Sequence, residues 1–588
     1  MSMRPTLAWG IALILFVSAL PMRAQTPLPA AQWVPPDAVI CLQLSRPKAL
    51  LDLLAGKEMT RAVTSAPLYQ KQSATPQFQE FLNVIKFLET SLQTDWRTGL
   101  ARLTAGGVTI AICPQDTVVA IIEAEDEALL GRLHEIFLGI ARSEAQKQGH
   151  PERVTSAEYA GVTAWTFDGK EAHAILGKRL IYSNRSEGLQ AVLKLRAASS
   201  GASLAASPAF QAARQAAGST AAATAFVHLK PLLSIPGIAG LLEKARANPL
   251  AALTFAGISE SLRNSNWLSL GLDVEGTTLT LRAASDGKIA GANNPAAFAL
   301  PAQAGAGTWP NLSVPGRIAA LSVYRDLQRF YAAKDTLFPE RTSGLIFFEN
   351  MMGIFFTGRD LTTEVLAETE PEIRIVVAEQ RYDPAVGTPQ VKLPAFAAIL
   401  RLRHPEQFGK VVEEAWQKAV GLINFTRGQQ ALPGLIIDRA THGQTKYTVA
   451  YFSTADVNDK TKLETRFNAR PALALPGPYV ILSSTDGLAR DLIEVLGREA
   501  GQPVRPSAET HSLVEISGTQ AAAAFQANRD TLVRGDMIKK GKSQAEAEAG
   551  IDMLITLTKL IEQVKLNVGM EEGLTQASLR LKLNLLQP

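Results

Sequence analysis

The chain reads as an α+β protein of two related domains, each a mainly antiparallel twisted sheet with helices packed on one face. Three observations predict this. The sequence repeats itself: Ala120–Glu135 (AIIEAEDEALLGRLHE) aligns without a gap on Ala398–Glu413 (AILRLRHPEQFGKVVE), each a short apolar strand, a charged turn and an amphipathic helix. Short alternating runs are joined by tight turns such as Asp168–Gly169 and Glu275–Gly276, and Asp-Gly suits a hairpin because both central positions want positive φ. Finally, 588 residues exceed what one hydrophobic core organises.

In chain order, residues 1–24 have the form of a secretory signal: Arg4, an apolar stretch Leu7–Leu20, then Ala24 before the cut. The stretch is short for a spanning helix, which needs about 20 apolar residues. A Pro-rich segment, 25–36, leads into the first domain, 37–284. Its strands are expected at Ala38–Leu44, Val108–Cys113, Val118–Glu123, Val162–Phe167, Ala172–Leu176, Leu180–Ser183 and Ala223–Leu229, with a hairpin over Leu268–Leu281. Pro47 opens a helix through Leu54. Phe78, Phe81, Leu82, Ile85, Leu88 and Leu92 recur at helical spacing, Glu127–Glu144 forms the next helix, and another is expected near Leu241. After Ser183, Asn184 and Glu187 have capping-box spacing.

An Ala/Gly/Pro-rich linker, 285–316, precedes the second domain, 317–588. This begins with Ile318–Tyr324 and repeats the meander as far as Tyr479–Ser483. There Ser483 and Asp486 have cap spacing, and Gly487–Leu488 answers Gly188–Leu189. It closes with Leu513–Ile516, a helix over Ala545–Val564 and a hairpin turning at Glu572–Gly573. Its main departure is the insertion STADVNDKTKLETRFNARP, read as a solvated loop where the copies diverge.

A net charge of +4, or 57 basic against 55 acidic residues once Arg4 and Arg23 are removed, gives no pull toward nucleic acid. Gly257–Ile258–Ser259–Glu260–Ser261 lacks the closing glycine of a nucleophile elbow. Gly541–Lys542–Ser543 resembles the end of a phosphate loop, but five residues rather than four separate it from Gly535, and it follows no strand. The surrounding RGDMIKKGKS reads as an exposed basic turn. His134 and Glu135 point to different helix faces, and His173 and His228 read as strand packing or edge residues rather than bases. Glu123, Glu125, Asp126 and Glu127 form an acidic corner whose second-copy counterparts, Arg401, Arg403 and His404, have opposite charge; it reads as a solvated turn. No metal or cofactor site is expected. Export permits a disulfide between Cys41 and Cys113, or leaves two buried thiols; the second copy is expected to match them with Leu321 and Ala378.

AVICLQLSRPKALLDLL, TDWRTGLARLTAGGVTIAI, AILGKRLIYSNRSEGLQAVL and SLAASPAFQAA resemble a family of exported bacterial proteins that carry domain-of-unknown-function labels and are also built on paired repeats. The resemblance implies an envelope location and the duplicated fold; it carries over no catalytic residue. Export without a catalytic signature points to a non-enzymatic envelope protein that binds a partner or ligand, with a groove between the repeats as the expected place. The alternatives are a periplasmic carrier or chaperone for lipid or other apolar ligands, and a hydrolase with an unrecognised site. The carrier needs an apolar sheet face left uncovered. Membrane contact is expected only if the N-terminal segment stays uncleaved.

Overall fold

The computed structural model describes residues 29–64, 67–197, 203–235, 237–238, 240, 248–287, 295–301, 305–382, 388–452, 467–501, 504–508, 510–571 and 573–585. The signal-like segment, the helix expected near Leu241 and most of the insertion lie outside these residues. The chain divides into two compact units: residues 1–239 with 264–287 and 585–588, and residues 240–263 with 288–584.

Unit 1 contains strands β1 Ile40–Leu44, β2 Gly107–Cys113, β3 Thr117–Glu123, β4 Thr155–Tyr159, β5 Val162–Thr166, β6 Ala172–Leu176, β7 Arg179–Ser183, β8 Ala223–His228, β9 Trp267–Glu275 and β10 Thr278–Ser285. They pair antiparallel in the order β4-β5-β6-β7-β3-β2-β1-β8-β9-β10. The unit 1 helices used below are α1 Pro47–Leu54, α2 Pro76–Leu92, α3 Trp96–Leu103, α4 Glu127–Lys147, α5 Ser186–Ala197 and α6 Pro208–Ala217. Strand β4 escaped the sequence reading because four of its five residues are exposed and show no apolar alternation.

Unit 2 contains β11 Arg317–Tyr324, β12 Thr369–Ala378, β13 Ala395–Leu402, β14 Leu435–His442, β15 Thr445–Phe452, β16 Ala472–Ala474, β17 Tyr479–Ser483, β18 Thr510–Ser517, β19 Ile561–Glu571 and β20 Leu574–Leu583. Their order is β14-β15-β16-β17-β13-β12-β11-β18-β19-β20, again antiparallel. Each strand of these ladders therefore has its counterpart ten places on and the two ladders share one topology; unit 2 adds a short antiparallel pairing of Gly307–Thr308 with Ser507–Ala508. The helices used below are α7 Pro249–Asn264, α8 Thr342–Phe355, α9 Pro405–Gln429, α10 Asp486–Gly501, α11 Gly518–Ala527 and α12 Gln544–Lys559.

Several local expectations change. Leu560 ends α12, so Val564 lies in β19, where the alternating run IEQVKLN prefers the sheet. Arg534–Gly535–Asp536 is helical, within Arg529–Lys540; only Gly541–Ser543 turns, with Gly541 at φ 64° and Ser543 in a capping box with Glu546. Asn184 does not cap α5. Its Oδ1 accepts from Val118 N at 2.7 Å and its Nδ2 donates to Asp116 O, tying the end of β7 to β3. Ser484 does the same in unit 2, accepting from Phe396 N at 2.9 Å, and the cap there is Thr485, which accepts from Leu488 N. Both helices start two residues further on, so Gly188 matches Leu488 and the Gly-Leu alignment was one residue out.

One face of each sheet is packed under helices. In unit 1, Cys41, Ala111, Val119, Ile121 and Ile181 are buried there, and Gly271 meets α6 so closely that an added Cβ would lie 2.1 Å from Ala217 O. In unit 2, Val376, Ala397, Ile399 and Ile481 form one cluster with Leu488, Leu492 and Leu496 of α10.

Helix α7, read from the sequence as part of the first copy, is counted with unit 2. The reason is Arg325, only 2% exposed. Its Nε donates to Leu253 O at 2.6 Å, and Nη1 to Tyr324 O at 2.7 Å and His511 O at 3.0 Å. Nη2 donates to Thr254 O and Ser512 Oγ, both at 2.9 Å. No carboxylate is among these five acceptors, and burial alone brings the guanidinium down to about 10, still charged at neutral pH. Burial and this neighbouring cation hold His511 near 3, so it stays neutral. Arg325→Met leaves buried acceptors unpaired and is expected to destabilise the protein by about 3–5 kcal/mol, read as a lowered urea midpoint. The exposed Arg329→Met is the control, expected to stay within about 0.5 kcal/mol.

Candidate functional site

Side chains alternate across a strand, so the apolar residues between those of the packed face point to the other side. In unit 1 these include Ile40 and Leu42 of β1, opposite Ile112 and Ile110 of β2. On the other flank of β1 they face Val227 and Ala225 of β8, which oppose Leu268 and Leu270 of β9. Leu42 is 44% exposed and the others are half-buried. Strand β10 continues the strip with Leu281. Among the described residues one end is closed, where Leu44, Val108 and Ile122 cluster with Leu50 of α1.

Unit 2 repeats the arrangement. Leu321 and Ala319 of β11 oppose Ile375 and Val377 of β12, which oppose Ala398 and Phe396 of β13. Phe396 is 60% exposed, Leu482 beside Ala398 is 38% exposed, and the rest are half-buried. On the other flank the strip runs through Val514 and Ile516 to Leu566 and Val564, then Leu579 and Leu581. Leu402 and Val480 close one end under α9. At about 4.8 Å between neighbouring strands, the five strands of the unit 1 strip span about 19 Å and the seven of the unit 2 strip about 29 Å. Leu321 thus belongs to the open face. Ala320, opposite Val376, is the counterpart of Cys41, and the one-residue error moved the side chain through the sheet.

Beside the unit 1 strip, α4 lies against β5–β7. His134 of α4 and His173 of β6 meet with their Nε2 atoms 3.0 Å apart. His173 is 2% exposed, with the Phe167 ring centroid 4.9 Å away. Trp165 lies 5.8 Å from His134 and carries the Arg142 guanidinium at 5.4 Å. Burial, then the neighbouring His134, brings His173 down to about 3. Burial also lowers His134, with Glu135 opposing and Arg142 assisting. The sequence reading took His173 as a strand packing or edge residue and saw in His134 no pair with its neighbour Glu135; the strand-to-helix connection brings the two histidines together. The signal lay in the alignment, where His134 falls on Val412. His228 ends β8, its ring 6.4 Å from that of Phe226. The solvent side of α4 also borders a shallow cleft of about 440 Å³ with α2, lined by Phe87, Ile136 and Ile140 and edged by Glu135, Glu144 and Lys147.

The remaining sequence candidates are spoken for by structure. At the acidic corner Arg102 bonds Glu125 and Asp126, Arg179 bonds Glu123, and Asp126 caps α4 through Leu129 N. Its counterpart pairs Arg403 with Glu370 and His404 with Glu368. Lys542 is held by Asp536 at 2.7 Å. Among the described residues no group of three or more His, Cys, Asp or Glu side chains is placed to hold a metal ion, and no helix is long and apolar enough to cross a membrane.

Cys41 and Cys113 are free, buried thiols on the packed face. Cys41 opposes Ala111, so Cys113 is its diagonal neighbour. Such neighbours lie about 7–8 Å apart, whereas a disulfide needs a Cα separation of about 4.4–6.8 Å. Burial, then the neighbouring Cys113, pushes the Cys41 thiol up to about 12; burial, then Asp37, pushes Cys113 to about 11. The protein purified without reductant is expected to show no reactive thiol at pH 8 when folded and two in denaturant, counted with a thiol reagent.

No family model matches the chain, and no curated protein matches it. Among solved structures it is similar to crystal forms III, I and IV of TP0453, at 9%, 11% and 10% identity. The matches cover 47%, 46% and 45% of this chain and 86%, 80% and 81% of that one, with TM-scores of 0.24, 0.23 and 0.23. At such scores the likeness carries no argument about function or site.

Proposed function

We propose that the protein is an extracytoplasmic, non-enzymatic carrier for a lipid or similar apolar ligand, held on the open sheet faces. The observation that carries this is the repetition of the same half-exposed apolar strip in two copies whose sequences have otherwise diverged. An exposed sheet face is ordinarily polar, and contiguous apolar patches of this extent mark binding surfaces. The dimensions suit the ligand: an acyl chain spans about 15 Å, half a bilayer core, less than the width of either strip. Covering a Leu, Ile or Phe side chain contributes about 1.5–3 kcal/mol, so a few such contacts suffice for micromolar binding. The signal-like Arg4 and Leu7–Leu20 support the location. A docked envelope protein is the other reading of the same strips.

Organic extraction and mass spectrometry of the full chain purified from its own envelope are expected to yield a stoichiometric lipid. The double variant Leu42→Asp, Phe396→Asp changes two exposed residues; it is expected to keep its melting temperature and to bind a fluorescent fatty acid at least about tenfold more weakly. Absence of extracted lipid together with no fatty-acid binding by the wild type would exclude the carrier and leave the docked protein.

A further inference from the structure

We propose that the His134–His173 imidazole pair is an acid-sensitive latch, holding α4 on the β5–β7 wing of unit 1 at neutral pH and releasing it on acidification. The geometry requires one ring nitrogen to donate and the other to accept. A proton on each puts two donors and two positive charges 3.0 Å apart in a site walled by Trp165 and Phe167. Other groups face the pair. On α4, Glu135 favours a charged His134 and Arg142 opposes it. From the sheet, Tyr182 opposes His173 in register, and burial, then the nearby Glu171 carboxylate, raises that tyrosine.

The second copy supplies the comparison. Ala172 opposes Ser183 and Ala472 opposes Ser483, so His173 corresponds to Leu473, as His134 does to Val412. Leu473 and Val412 share an apolar cluster under α9. The same helix-on-sheet contact is therefore built once from two titratable rings and once from two aliphatic side chains. Only the first can respond to pH.

Because the folded pair is held neutral, its contribution is complete above the unfolded histidine value of about 6.5 and is lost as pH falls toward the folded values. The opening equilibrium of α4 should rise on the order of tenfold to a hundredfold between pH 7 and pH 5. Release would uncover Ile175 and Leu180, now packed against Leu129, Leu130 and Leu133. Leu180 also belongs to the cluster that includes Ile110 of the open strip. Acid would thereby enlarge the apolar surface available to ligand, a consequence that rests on the carrier reading.

Hydrogen exchange of the α4 amides in the full chain, corrected for intrinsic rate, tests the latch directly. Wild type should lose protection at pH 5, while the double variant His134→Val, His173→Leu, copied from unit 2, should keep it. Equal pH dependence in the two proteins, or none in wild type, overturns the proposal. Should the variant not fold, the His173 ring resonance in wild type decides: protonation near pH 6.5 with α4 still protected also overturns it, and protonation coupled to loss of protection upholds it. Retention of a fluorescent fatty acid at both pH values is read in parallel. Its absence throughout defeats the carrier and leaves the exchange result standing.

Discussion

The structure depends on the period of two that an antiparallel ladder imposes on side-chain direction. The central strands here carry apolar residues on both sides, and the helices cover the sides unequally. Cys41, Ala111 and Val119 lie buried on the packed side, while Leu42 and Ile110, one residue away in sequence, remain in contact with solvent. A register shift of one residue would exchange these two sets throughout a sheet. Asn184 and Ser484 act against such a shift, each fixing the end of a central strand through both backbone and side chain.

Duplication lets the two units be compared position by position without any other sequence. What they share is architectural: ten strands in one order, an amphipathic helix after the third, a polar lock after the seventh, and one open apolar face. What they do not share is chemistry at individual contacts. The acidic corner of unit 1 becomes basic in unit 2, the paired thiols become Ala320 and Ala378, and the facing imidazoles become Val412 and Leu473. Tolerance of these exchanges fits structural roles for the corner and the thiols, since charge reversal and loss of sulfur both leave the ladder intact.

Much of the architecture was legible because it follows from periodicity. The strand–turn–helix unit at Ala120–Glu135 and its counterpart at Ala398–Glu413 appear where alternation places them, and Gly169 and Gly276 have positive φ in their turns, although Asp168 does not share that conformation and Glu275 is the last residue of β9. The failures have local causes. Exposed strands such as β4 lack an apolar signature, and cap spacing cannot distinguish a residue that caps its helix from one, like Asn184, that reaches back to a strand. The candidate site was less legible. Alternation shows that a strand has two faces, but whether helices cover both depends on tertiary packing, and two histidines 39 residues apart meet only through the helix and the meander between them.

Arg325 has one more consequence, for how the polypeptide can be divided. Helix α7 lies between β8 and β9 in sequence, yet its carbonyls accept from a guanidinium that follows the linker. Neither compact unit is thus a continuous stretch of chain. Cleaving at residues 285–316 and separating the pieces would strip unit 2 of a helix and take two of the buried cation's five acceptors from it, although that segment looks from its composition like the natural place to cut. The two units are interleaved along the chain, and the N-terminal half, released first from the ribosome, carries a helix whose carbonyls accept from an arginine of the later half.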